Sequence, residues 1–183
     1  MKLMDPKSNE FEKCPEGVHV ATLYQIVDLG TSATHYDPEP KPRMRFGFET
    51  PHEKREDGKP FMITKVMTKY LSQKANLRKY IETLMSKKYT DETITEVNIK
   101  DLIGKACQIQ VIHSEDGQFA NIEEIMPLTK GTETPNLVNE PIYFDLEEPD
   151  MAVYEKLSDK TKERIQLSSE WKKEGVPEDD IPF

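Results

Sequence analysis

Arg43-Met44-Arg45-Phe46-Gly47-Phe48 is the stretch on which the reading of the chain turns. Its residues alternate without a break: Arg43, Arg45 and Gly47 fall to one side of an extended chain, and Met44, Phe46 and Phe48 to the other. That is a half-buried strand with an apolar inner face and a basic outer face. Downstream, residues 52–59 form a charged turn containing Asp57-Gly58, a hairpin signal. Residues 61–71 read as the next strand, with Lys65 and Lys69 on one side. Upstream, the β-branched and aromatic residues 17–27 read as a first strand. Residues 28–41, rich in Pro, Gly, Asp and Thr, read as a long polar loop.

Beyond the third strand, Ser72 can cap a helix whose apolar residues Leu77, Tyr80, Ile81, Leu84 and Met85 recur at helical spacing. A short helix is expected at 99–103, with Asn98 as cap and Gly104 as stop. Strands at 105–112 and 119–125 follow, joined by the turn Glu115-Asp116-Gly117. The order β-β-β-α-β-β predicts a mainly β protein with helices. The expected form is a five-stranded Greek-key barrel, the OB-fold, over residues 1–128, with a helix between strands 3 and 4. An open α+β sheet of the same elements is the alternative.

After residue 128 the texture changes. Residues 129–140 are a Thr/Pro/Asn/Gly connector, and residues 141–145 a short apolar island. Asp150 opens a helical stretch over 151–157, and a second is expected over 160–173, with Ile165, Leu167 and Trp171 apolar and Gly175 as its end. Residues 129–175 are thus read as a connector and helical extension, and residues 176–183 as an acidic tip.

The chain has 183 residues, of which 36% are hydrophobic and 32% charged. No run approaches the roughly 18–20 apolar residues that span a bilayer, and the N-terminus lacks the apolar stretch of a secretory signal. Two cysteines, Cys14 and Cys107, make no disulfide framework. A cytoplasmic protein with reduced thiols and no membrane partner is therefore expected. The net charge of −9 is uneven: residues 129–183 carry −7, whereas residues 41–88 carry +8. Phosphate binding needs a local field rather than a positive total. The acidic tail is expected to visit the basic segment when no nucleic acid is present.

No P-loop, GxSxG or HExxH motif occurs, and His19, His35, His52 and His113 have no ligand spacing with one another or with the cysteines. No catalytic residue, metal or cofactor is expected. A single-stranded nucleic acid needs a cationic groove for its backbone and aromatic faces for its bases. Arg43, Arg45, Lys65 and Lys69 are the backbone candidates; Tyr24, Tyr36, Phe61, Tyr70 and Phe119 are the stacking candidates. Phe46, Phe48 and Tyr80 are assigned to the core.

The last six residues are Glu178-Asp179-Asp180-Ile181-Pro182-Phe183. A basic pocket could hold the acids and the terminal carboxylate, an apolar slot could take Phe183, and Pro182 lowers the entropy lost on binding. This tip resembles the C-terminal tip of bacterial single-stranded DNA-binding proteins, which recruits replication, recombination and repair enzymes. The run from Lys69 to Tyr80 is similar to a segment of phage-encoded OB-fold proteins of replication and recombination modules. Leu102-Ile103-Gly104-Lys105-Ala106-Cys107, Ala120-Asn121-Ile122, Tyr143-Phe144-Asp145-Leu146 and Ser168-Ser169-Glu170-Trp171 fit the same pattern. The resemblance implies a phage or prophage protein that binds single-stranded DNA in a bacterial cytoplasm. It also implies that residues 178–183 are a partner-binding site. The chain lacks the Gly/Gln/Pro-rich linker of the bacterial family, so that family's tetramer interface does not carry over and homo-oligomerisation is left open. Two other classes stand beside this one: an acidic adaptor or DNA mimic that binds a protein instead of DNA, and an enzyme built on the same barrel.

Overall fold

Six strands and a few short helices follow one another in the computed structural model, which describes residues 12–173. The strands are β1 (Gly17–Ser32), β2 (Lys41–Lys54), β3 (Pro60–Thr68), β4 (Ala106–His113), β5 (Ala120–Met126) and β6 (Ile142–Phe144). Between β3 and β4 lie helix α1 (Asn76–Met85) and two 3-10 turns, Thr93–Glu96 and Ile99–Leu102. After β6 come α2 (Met151–Glu155), α3 (Asp159–Gln166) and α4 (Ser169–Lys173).

The sheet runs β3-β2-β1-β4-β5, antiparallel throughout, with β6 added parallel to β1. β1 is long enough to serve two partners along one edge. Its residues 17–22 pair with β4, and Gln25, Ile26 and Val27 pair with Ile142, Tyr143 and Phe144 of β6. The outermost strands β3 and β5 lie against each other. Lys65 Nζ crosses between them to the Ile122 carbonyl at 2.9 Å. No backbone ladder joins them among the described residues, so the sheet is open along that seam.

Two cores form, one on each face. The first holds Leu23, Ile26, Phe46, Phe48, Leu77, Tyr80, Ile81, Ile109 and Ile122, with Tyr80 of α1 6.1 Å from both phenylalanine rings. The alternation of Met44, Phe46 and Phe48 and the helical stripe of α1 produce it as expected. The second core holds Val27, Leu29, Phe144, Leu146, Tyr154, Leu157 and Ile165. It exists because β1 bulges at Tyr24 and at Leu29, each an extra residue against β2. A bulge changes which residues face which side, so one strand feeds both cores.

Several boundaries differ from the sequence reading. β1 continues past Val27 to Ser32, because Gly30, Thr31 and Ser32 pair with Arg43, Pro42 and Lys41. The loop between β1 and β2 is accordingly only residues 33–40. α1 starts after Ala75 rather than Ser72, and no side chain caps it. Asn98 does cap the second 3-10 turn, its side chain accepting from the Lys100 amide. The single helix expected over 160–173 is two. Ser168 ends α3 with its hydroxyl on the Ile165 carbonyl, then accepts the Trp171 amide as the cap of α4.

Candidate nucleic-acid interface

The outer face of β2 was expected to be basic and exposed. Its side chains do point outward, but residues 138–171 lie over them. Glu49, fully buried, accepts the amides of Val138 and Asn139 at 2.6 and 2.9 Å and the Asn139 side-chain amide at 2.6 Å. Arg45 donates to the Thr161 hydroxyl of α3 and has no carboxylate partner among the described residues. Burial weakens the hold of Arg45 on its proton, and the like charge of Arg164 adds to this. Arg43 is also buried: it bonds the carbonyls of Ser32 and Lys41 and pairs with Asp37 at 3.0 Å. Arg43 thereby fastens the β1–β2 loop.

On β3, Lys65 is taken up at the seam with β5, and Lys69 pairs with Asp28 at 2.7 Å. The +8 of residues 41–88 is reduced in the same way. Seven of its thirteen cations are ion-paired: Lys41, Arg43, Arg55, Lys69, Arg78, Lys79 and Lys88. Five of their partners, Asp28, Asp37, Glu39, Asp91 and Glu124, come from outside the segment. A segment sum therefore overstates the field. Lys54, Lys59, Lys74 and Lys87 are exposed and have no carboxylate partner among the described residues.

The aromatic candidates divide cleanly. Tyr24 is buried at the β1 bulge, and Phe61 is buried in the first core, so neither offers a ring to solvent. Each lies on a strand covered from its own side, which a strand reading cannot distinguish from an open one. Tyr36, Tyr70 and Phe119 are 94%, 47% and 60% exposed. Tyr36 stands in the β1–β2 loop and Phe119 in the turn between β4 and β5, whose base Ser114 and Asp116 tie down. Tyr70 lies two residues beyond the end of β3.

The structure brings in residues that the sequence did not single out. Glu49, Thr161 and Arg164 matter only through the placement of α3 and the connector on β2, and no local pattern marks them. Among the described residues no group of three His, Cys, Asp or Glu side chains is placed to share a metal ion. His113 and His19 bond the carbonyls of Cys14 and Pro15. Among the described residues no helix is long and apolar enough to cross a membrane. The tip, Glu178–Phe183, lies outside the described residues, as does Gly175.

No protein-family model, curated protein or solved structure matches this chain. The functional reading therefore stands on the residues and their arrangement.

Proposed function

We propose that this protein binds single-stranded DNA, catalyses no reaction on it, and recruits partner enzymes through residues 178–183. The fold behind this reading is an OB-fold barrel. The strand order β3-β2-β1-β4-β5, the approach of β3 to β5 and the helix between β3 and β4 support it. The observation that carries the reading is the position of Tyr36 and Phe119. Two exposed rings occupy the β1–β2 and β4–β5 loops, the loops by which this class of barrel holds oligonucleotides. Base stacking on an aromatic ring is worth about 1–3 kcal/mol and is indifferent to sequence.

A fluorescence-anisotropy titration with labelled oligothymidylate at two salt concentrations tests the proposal. Binding should weaken with salt, duplex of equal length should compete poorly, and Tyr36→Ala or Phe119→Ala should weaken binding at least about fivefold. Equal competition by duplex, or no binding at low salt, would sink it. Deleting residues 176–183 should leave DNA affinity intact while abolishing partner capture.

The cover over β2 and the pairing of seven cations favour a second reading, an acidic adaptor or DNA mimic that binds a protein. The same titration decides between them, since the adaptor would not bind the oligonucleotide.

A further inference from the structure

Between the β1–β2 loop and α3 lies a cleft of about 240 Å³. Leu29, Ser32, Ala33, Thr34, His35, Arg43, Arg164 and Leu167 line it. In a chain of net charge −9 this is an unusual set: two guanidiniums, an imidazole and two hydroxyls, with no carboxylate among the lining residues. Arg164 is exposed and forms no ion pair among the described residues. Arg45 is bonded to Thr161, one turn of the same helix before Arg164, and its Nε has no hydrogen-bond partner among the described residues. Three guanidiniums thus gather around α3 and the end of β1, and among the described residues Asp37 is the one carboxylate paired with any of them. Gathering like charges costs energy, and an anion seated among them offsets it. The apolar parts fit a nucleotide as well. Leu167 is 64% exposed at the cleft, and the Tyr36 ring is 5.3 Å from that of His35.

We propose that this cleft receives a backbone phosphate of the bound single strand, held by Arg43 and Arg164, with a neighbouring base against Tyr36 or Leu167. The inference rests on the single-strand-binding reading and deepens it. It assigns part of the binding site to the C-terminal extension, because Arg164 and Leu167 belong to or directly follow α3. Arg43, held by its loop bonds and partly offset by Asp37, is a fixed wall of the cleft; Arg164, exposed and without an ion pair among the described residues, supplies the free and adjustable donor.

Arg164→Gln tests it cleanly, since the side chain is exposed on a helix and its loss leaves the fold alone. Lys160→Gln, on the same helix but outside the cleft, controls for general charge loss. Oligothymidylate binding by the full chain is measured over a salt series. Arg164→Gln should lower affinity about threefold or more and reduce the log–log salt slope by about 0.7, the contribution of one single-strand phosphate. Lys160→Gln should leave the slope unchanged. An unaltered slope and affinity in Arg164→Gln, with wild type binding normally, would overturn this inference and leave the function standing. Failure of wild type to bind would instead remove the function and this site with it. Full competition by a mononucleotide at equal nucleotide concentration would assign the cleft to a small phosphate ester and also overturn it.

Discussion

Neutralising Glu170 tests whether the C-terminal extension is latched to the sheet by one carboxylate. Glu170 sits in the first turn of α4 and reaches back to the end of β1. Its Oε2 accepts the Thr31 amide at 2.7 Å and its Oε1 accepts the Thr31 hydroxyl at 2.6 Å. Burial alone would raise its pKa, but the hydrogen bonds from Thr31 and Ser169 outweigh it and hold the carboxyl down at about 2, against an ordinary 4.5. A gap of that size corresponds to about 3.4 kcal/mol at 1.36 kcal/mol per unit; solvent screening of a half-buried group lowers this to about 1–2 kcal/mol. Because the folded pKa is depressed, this stability is fully present above pH 4.5 and is lost as the pH falls through 2. Glu170→Gln removes it at neutral pH: the amide still accepts from the Thr31 N–H and donates to the Thr31 hydroxyl, but both bonds lose the charge that made them strong. The protein carries a single tryptophan, Trp171, stacked on Tyr154 at 4.8 Å, so its emission reports on this junction directly. Urea unfolding followed by that emission should show Glu170→Gln weaker than wild type by about 1–2 kcal/mol at pH 7. The thermal midpoint should fall by about 2–8 °C. The difference should shrink between pH 4.5 and pH 2. Identical midpoints at pH 7, or a difference that does not depend on pH over that window, would refute the latch.

Gly30→Ala strikes the same junction from the other side. Its φ is +67° and a Cβ would lie 2.5 Å from Ser168 Cβ, so a loss of about 2–4 kcal/mol is expected in chemical denaturation. Ser86→Gly should act oppositely. Ser86 ends α1 in the left-handed region at φ 51°, its amide on the Thr83 carbonyl, and glycine there should add about 0.5–1 kcal/mol, read as a higher urea midpoint. The thiols should be inert in the folded protein. Burial pushes Cys107 up to about 12, and burial with the nearby Glu53 charge pushes Cys14 up to about 11. Both therefore stay protonated at pH 8, and a thiol reagent should label two sites in urea and none in buffer within the same time.

What the sequence disclosed depends on how far the deciding partner lies along the chain. Met44, Phe46 and Phe48 declare their strand locally, and Leu77, Tyr80, Ile81 and Leu84 declare their helix, because the period is written in adjacent residues. Residues 28–32 look like loop by composition, yet they are strand, because pairing with residues 41–44 overrides a weak local preference. Ile142–Phe144 was visible only as an apolar island, since three residues carry no period and their partner on β1 is more than a hundred residues away. The same distance governs the candidate site. Tyr36 could be placed on the surface from its polar loop, whereas nothing local separated the exposed Tyr70 and Phe119 from the buried Tyr24 and Phe61. Arg43 and Arg45 were given an outward direction, but outward is not exposed when the β1–β2 loop closes on Arg43 and residues 138–171 lie over Arg45.

That cover also changes the physical link between tail and basic strand. Charge sums predicted a tail held by its acids and exchangeable for DNA. The residues in contact are of another kind: Arg45 meets a hydroxyl and a like charge, and Glu49 of the sheet accepts amides of the connector. The adhesion is apolar, with Phe144 and Ile165 at 1% and 0% exposure and Val27, Leu29, Leu146 and Leu157 packed with them. Burying each such side chain is worth about 1.5–3 kcal/mol, so peeling the cover away costs on the order of 10 kcal/mol, comparable with the whole stability of a domain. Phosphates cannot displace such a cover by ion exchange, and salt would tighten rather than loosen it. On the proposed function, a single strand would run over the extension and the loops beside it rather than beneath. That route would bring it to Tyr36 and Arg164 together, with the extension as part of the binding surface instead of its competitor. Raising salt should accordingly weaken oligonucleotide binding while leaving Trp171 emission unchanged. A shift of that emission on adding DNA, toward the emission of the urea-unfolded protein, would show that the cover does lift.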